Sequence, residues 1–241
     1  MGFSAESNNA EESGASIVLF PIQKAAISAL IDADLEKYYF KEGEVFKQGD
    51  ILVQMDDKLY KEYYDSAKND LEKANTALNF ASKIYEQNLD MYKKNGLSLQ
   101  ELEKSKLEYE MAKSELEQAK VNLKVAEIKL GFCTIKAPFP GRVTEKSKNE
   151  YEYVRTGELI IEIIDDKELL ALMNLPSSEF SNIELGQDKG FYIDELKKVF
   201  HGKVYEISGD INPGSRTFEA KVLIDNSEHE LIAGMSGHLV E

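Results

Sequence analysis

The sequence predicts a mainly β protein of the α+β class. One two-halved β domain is interrupted by an antiparallel α-helical coiled-coil hairpin and accompanied by a small β-barrel domain. Three observations predict it. Two heptad seams of near-equal length run back to back between residues 58 and 130. Short, glycine-punctuated β runs flank them, and a ten-residue stretch of the first half repeats in the second. From Glu168 onward, short strands alternate with turn residues.

The first β half holds the apolar runs Ile17 to Phe20, Ile27 to Ile31, Tyr38 to Phe40 and Ile51 to Met55. Glu42-Gly43 and Gln48-Gly49-Asp50 read as turns between the last two. With Asp57 as N-cap, the period then switches to 3.5. The first seam is Tyr60, Tyr64, Ala67, Leu71, Ala74, Leu78, Ala81, Tyr85, Asn88 and Tyr92, with spacings that alternate four and three. Lys93-Lys94-Asn95-Gly96 supplies basic residues for a last turn and then a C-cap pair. Ser98, with Glu101 three residues on, is a capping box that opens the second helix. Its seam is Leu102, Ser105, Tyr109, Ala112, Leu116, Ala119, Leu123, Ala126 and Leu130.

Both seams alternate alanine with a large residue, which lets two helices approach closely and interdigitate. So short a connection forces antiparallel neighbours. At ~1.5 Å per residue, a helix of about 35 residues is about 50 Å long. A globular core of this size has no room for such a rod, so it projects.

After Gly131 the β pattern resumes with Cys133 to Lys136, the turn Ala137-Pro138-Phe139-Pro140-Gly141, and Arg142 to Lys146. With Gly157 laid on Gly49, Val154 to Ile163 covers Phe46 to Met55, and apolar, basic, polar, glycine and acidic positions agree. Two similar halves around a helical hairpin indicate one pseudo-twofold domain with an inserted rod. Gly43, Gly49, Gly141 and Gly157 are its expected structural turns. Beyond it, Leu169 to Leu175, Lys189 to Ile193, Val199 to Ile207, Thr217 to Ile224 and Gly237 to Val240 read as strands of a barrel. A short helix is expected from Pro176, and Ile17 to Ile22 could supply a missing strand. The expected boundaries are a disordered leader at 1–16, β halves at 24–57 and 131–167, the hairpin at 58–130, and the barrel from 17–23 with 168–241.

Composition narrows function. There are 29 basic and 44 acidic residues, a formal charge of -15, which repels phosphate backbones and disfavours nucleic acid as a partner. Cys133 is the one cysteine, so no intramolecular disulfide forms, and its apolar strand makes it a buried small hydrophobe. No run approaches the roughly 20 apolar residues of a membrane-spanning helix. Met1 to Ser16 lack the basic start and apolar stretch of a signal peptide, so an export signal or anchor is expected outside this sequence. His201, His229 and His238 have no ligand spacing, and no nucleophile triad, phosphate loop or paired-cysteine motif occurs. No catalytic residues, cofactor or metal are expected. The acidic pairs Asp56-Asp57 and Asp165-Asp166 fall at equivalent places in the repeats, where capping and solvation account for them.

The stretch Glu42 to Asp56 resembles the first half of a biotinyl/lipoyl-type domain. Leu130 to Val143 resembles the helix exit and second lipoyl half of HlyD-type membrane fusion proteins. Gly214 to Ala220 and Leu231 to Ser236 resemble that family's adaptor barrel. The resemblance covers nearly all of Ile17 to Glu241 and implies a split lipoyl-like β sandwich with an inserted coiled coil. It also implies a role: a periplasmic adaptor, associated with the inner membrane. Such an adaptor joins an inner-membrane transporter of the resistance-nodulation-division (RND) or ABC kind to an outer-membrane TolC-like channel. In that family copies pack into a ring, usually of six, so the resemblance implies a homo-oligomer ring here.

In that family the hairpin tip carries an arginine, a leucine four residues on and a serine seven beyond that. The matching positions here are Gln87, Met91 and Ser98, of which the serine agrees. With Leu97 they are the expected partner-contact residues. Each has a plainer reading: Met91 closing the seam, Ser98 as helix cap, Gln87 as a solvated helix residue. Other functional readings are an ABC-exporter or type I secretion adaptor, a coiled-coil interaction protein, and a lipoyl or biotinyl carrier modified at Lys58. A carrier needs its lysine at a β-turn apex, whereas Lys58 is expected in a helix.

Overall fold

Apolar residues at every second position of two long strands organise the molecule, for which a computed structural model describes residues 15–240. Strand β1 (Ser16–Ser28) and strand β8 (Leu159–Pro176) pair antiparallel from Ile17 opposite Met173 to Ser28 opposite Leu159. Alternation turns one face of each inward. Their outer halves enter one hydrophobic core and their inner halves another.

The first core fills a closed barrel of six strands. Around it run β1, β12 (Ser236–Val240), β9 (Asp188–Ile193), β10 (Lys198–Ile207), β11 (Thr217–Asp225) and β8, which returns to β1. Closure leaves no unpaired edge. Ile17, Leu169, Met173, Phe191 and Phe218 are fully buried inside, each worth roughly 1.5–3 kcal/mol relative to exposure. A 3₁₀ helix at Ser177–Ser181 follows Pro176, and Phe180 lies edge-on to Phe218 at 5.3 Å.

The second core lies between two layers. One consists of the inner ends of β1 and β8 with β6 (Gly141–Lys146) and β3 (Val45–Phe46). The other has the order β5 (Thr134–Lys136), β4 (Ile51–Met55), β2 (Ala33–Tyr38), β7 (Tyr153–Val154). Leu35, Leu52, Met55, Ile160 and Ile163 are buried between them. The helices α1 (Lys58–Lys93) and α2 (Leu99–Gly131) leave this body after β4 and return to it before β5.

The sequence repeat has a structural counterpart in its turns at Gly49 and Gly157, and the turn at Gly43 outside the repeat shares it. In each of the three, a glycine has positive φ: Gly43 at 82°, Gly49 at 86° and Gly157 at 90°. An acidic residue follows each glycine. Its backbone N–H donates to the carbonyl three residues back, and its carboxylate accepts that residue's N–H. The pairs are Glu44 with Lys41, Asp50 with Lys47, and Glu158 with Arg155.

Several expectations are corrected. Gly141 is no turn glycine: it opens β6 against β8, and a Cβ there would collide with the carbonyl oxygen of Ile164. Ile17 to Phe20 and Ile27 to Ile31 are not separate runs, because β1 continues through Pro21. Glu158 to Ile164 and Leu169 to Leu175 are likewise parts of one strand, since Asp165-Asp166 bulges from the ladder without ending it. Tyr38 ends β2 instead of beginning a strand. Residues 1–14 of the expected leader lie outside the described residues, and Ser16 already belongs to β1.

Candidate functional site: the helix pair and its tip

Among the described residues each helix has the other as its only substantial packing partner, so both reach away from the β body. The two seams face each other. Ser105, Ala112, Leu116 and Ala119 are buried, and the remaining α2 seam residues are half-buried. On α1 the seam is half-buried from Tyr60 to Asn88, and Tyr92 at its end is exposed. Tyr85 stacks on Tyr109 with centroids 5.7 Å apart and ring planes 18° from parallel.

At the base, the Tyr60 hydroxyl donates to the carbonyl of Asp32 at 3.0 Å, and Tyr60 and Leu130 pack on the body's core. The expected N-cap, Asp57, makes no side-chain cap; it pairs instead with Lys61 at 2.9 Å. Asp56 takes the capping role, accepting the Lys58 backbone N–H at 2.9 Å. That bond and the Lys58 ammonium hold its carboxyl below the usual carboxylate range. Lys58 opens α1, with Nζ 3.0 Å from Asp56 Oδ2, so it occupies no β-turn apex. Nearby Cys133 is buried; burial first, then the charges of Asp57 and Asp56, push its thiol up to about 11.

At the tip, the left-handed residue is Asn95, with φ 60°, where the preceding lysines and Gly96 left the choice open. Asn95 N–H donates to Tyr92 O at 2.9 Å and Gly96 N–H to Met91 O at 2.9 Å. This pair of bonds satisfies carbonyls that a helix end would otherwise orphan. Ser98 forms the full capping box: its Oγ accepts from Glu101 N–H, and Glu101 Oε2 accepts from Ser98 N–H at 3.2 Å. The serine's two donors hold the Glu101 carboxyl below its ordinary range. Gln87 and Ser98 are exposed, Met91 is 48% exposed and Leu97 half-buried. Gln87 lies one helical turn before Met91, on the same side of α1.

Sequence reasoning missed a second stripe on α2. Leu107, Met111, Ser114, Gln118, Val121, Val125, Ile128 and Phe132 also alternate four and three, yet every one is exposed. The signal was present, but it lies between the positions of the stronger seam. Charge differs here too: Lys58 to Gly131 carries thirteen lysines and thirteen acidic residues, within a chain of net charge -15.

The histidines lie in the barrel. His229 Nδ1 is 3.2 Å from Asp166 Oδ2, and His238 Nδ1 is 3.4 Å from Asp194 Oδ1. Among the described residues no three metal-ligating side chains cluster, and no helix is long and apolar enough to cross a membrane. The expectation for Asp165-Asp166 is half corrected: Asp166 is 1% exposed and paired with Arg142 at 2.7 Å, not solvated.

A helix pair set between the two halves of a layered β body, with a closed barrel beyond, defines the architectural class. The chain belongs to the RND membrane fusion protein (MFP) family. The model for the RND MFP, barrel-sandwich hybrid domain matches residues 23–166, and that for the CusB-like, beta-barrel domain matches residues 173–240. Among curated proteins it is similar to the multidrug resistance protein MdtA of Shigella boydii, 22% identical over 214 residues, covering 85% of this chain and 52% of the relative. The chain thus spans about half the length of the curated relatives it matches. Among solved structures, the membrane fusion protein Spr0693 of Streptococcus pneumoniae R6 shares its fold with a TM-score of 0.73 at 18% identity, covering 93% of this chain and 96% of that one. A MacA-MexA chimera containing the Pseudomonas aeruginosa MexA alpha-hairpin domain does so with 0.69 at 23% identity, covering 92% and 77%.

Proposed function

We propose that this chain is a periplasmic adaptor of an RND-type tripartite efflux pump, held at the inner membrane and acting without catalysis. It links the transporter to a TolC-like outer-membrane channel. In this reading the β body is a split lipoyl-like sandwich, α1 and α2 are its inserted coiled-coil hairpin, and copies assemble as a ring of six. The observation that carries the reading is a helix pair about 50 Å long that touches little besides itself. So long an exposed rod gives the folded body nothing, whereas it suits a bridge.

The second stripe on α2 supports the ring. Leu107, Met111, Val121, Val125 and Ile128 are each between 45 and 61% exposed. Apolar residues at heptad spacing are the means by which helices choose helical partners, and contiguous exposed apolar surface marks interaction sites. The neutral charge of the helices lets copies approach there, while the acidic remainder keeps the assembly soluble. At the tip, Gln87, Met91, Leu97 and Ser98 are the residues offered to the channel.

Deleting Lys61 to Lys129 from the full-length gene tests the role. In a host that depends on this pump, the deletion is expected to raise ethidium accumulation to the level of the gene knockout. The purified variant is expected to retain a cooperative β unfolding transition. Accumulation at the wild-type level would overturn the reading.

A further inference from the structure

The carboxylate of Asp166 lies between the two cores and belongs to neither. The second core's β8 residues end at Ile163, and the barrel core resumes at Leu169. Between them the β1–β8 register slips: Gln23 stands opposite Asp165 but Pro21 opposite Leu169. Two steps along β1 therefore span four along β8, and Asp166 sits in the excess. Its side chain is almost wholly buried.

Both bodies grip this residue. From the layered body, Arg142 on β6 donates Nε to Asp166 Oδ2 at 2.7 Å, and its NH1 group donates to Gly43 O at 3.1 Å. From the barrel, His229 Nδ1 lies 3.2 Å from the same Oδ2, and Asn226 Nδ2 donates to the Asp166 carbonyl at 2.7 Å. Asn226 is itself fixed, since its Oδ1 accepts from Leu231 N–H and its Nδ2 donates to Leu231 O. Asp166 Oδ1 is buried with no partner among the described residues. Several nearby charged groups are engaged elsewhere: Lys24 with Glu162, Glu230 with Lys198, Asp225 with Ser227, and Asp165 with the Lys167 N–H.

Burying a carboxylate is costly unless cations and donors replace its water. An apolar residue would fill the gap between two apolar cores more cheaply. What a carboxylate adds is direction, because it binds a donor from each side at a fixed angle. The two grips differ in strength. Arg142 is anchored twice, whereas His229 is one-third exposed, sits at φ 54° and makes a longer contact.

We propose that Asp166 is the latch of a hinge between the layered body and the barrel. The hinge pivots on the β1–β8 register slip, Arg142 is the fixed jaw and His229 the releasable one. Opening the His229 jaw frees the barrel to reorient against the body that bears the helices. A hinge confined to a few residues at the ends of rigid elements is the ordinary form of such motion.

Pulsed electron spin resonance on the full chain tests this. With Cys133 replaced by alanine, labels at Tyr153 in the body and Tyr205 in the barrel, both exposed, report the angle. A second pair at Phe180 and Tyr205 reports the barrel alone. His229→Ala is expected to broaden the body-to-barrel distance distribution roughly twofold, as a freed hinge should, and to leave the barrel pair unchanged. His229→Gln, which restores an N–H donor, is expected to narrow it again. An unchanged body-to-barrel distribution in His229→Ala overturns the latch. So does equal broadening of the barrel pair, which would mean the barrel itself had loosened. Asp166→Asn, which keeps the shape but removes the charge that both jaws hold, is expected to broaden the body-to-barrel distribution at least as much as His229→Ala.

Discussion

Tyr85 of α1 and Tyr109 of α2 stack nearly parallel, 5.7 Å apart, and fix the register of the two helices far from the β body. Around them the seam is mostly alanine and leucine, and α1 has no fully buried residue. Aromatic pairs contribute about 0.5–1.5 kcal/mol beyond the area they bury. Tyr109→Ala is therefore expected to speed amide exchange in the outer half of both helices, with the barrel strands unaffected. Tyr109→Phe keeps the ring and is expected to exchange at close to the wild-type rate.

The glycines separate into two physical kinds, and alanine substitution distinguishes them. Gly49 and Gly157 have positive φ but open space where a Cβ would go. Alanine there costs about 1–2 kcal/mol of backbone strain. Gly141 has no such φ, yet its Cβ would meet the Ile164 carbonyl in a paired strand. Neither backbone can retreat without breaking the β6–β8 ladder. In urea titrations Gly141→Ala is expected to lower the unfolding midpoint further than Gly49→Ala or Gly157→Ala.

That difference marks what sequence can convey. The turns at Gly43, Gly49 and Gly157 are local, with each glycine followed by an acidic residue that closes its own loop, so residue order carries them. The need for glycine at 141 arises from Ile164, a contact that exists only after β6 and β8 pair. The heptad seams were legible because periodicity is itself the packing instruction, and they fray only at Tyr92. The continuity of β1 and β8 was not. Pro21 and Asp165-Asp166 are ordinary strand breakers, and a bulge between two cores overrides them. The exposed stripe of α2 was legible in its spacing, but the stronger seam on the same helix hid it.

Two buried acids set an alkaline limit on stability. The Tyr38 hydroxyl donates to Ile160 O and Lys148 O, and burial foremost pushes its pKa up to about 12. Burial likewise pushes the Cys133 thiol up to about 11. Both groups hold their protons more tightly folded than unfolded, so the unfolded chain loses protons first as pH rises and stability falls. For Cys133 the loss begins near its unperturbed value of 9.0 and is complete above about 11. For Tyr38 it runs from 10.0 to about 12. Urea midpoints are expected to decline across this range, with a shallower slope above pH 9 in Cys133→Ala. Near pH 8 the native thiol is expected to resist iodoacetamide until denaturant exposes it.

The stripe on α2 makes the sharpest prediction, because its apolar residues stand exposed in the single chain. Val121 and Val125 are 57% and 48% exposed, so Val121→Glu with Val125→Glu removes no core contact, and surface changes of this kind usually alter stability within about 0.5 kcal/mol. In an interface between copies, the same carboxylates would lose their water inside an apolar contact, at a cost of several kcal/mol. Sedimentation velocity on the full-length protein is expected to show the double variant at lower mass than wild type, at matched concentration, with thermal unfolding unchanged. If Val121→Glu with Val125→Glu assembles like the wild type, the copies meet along some other face, and the spacing of these residues has no part in holding them together.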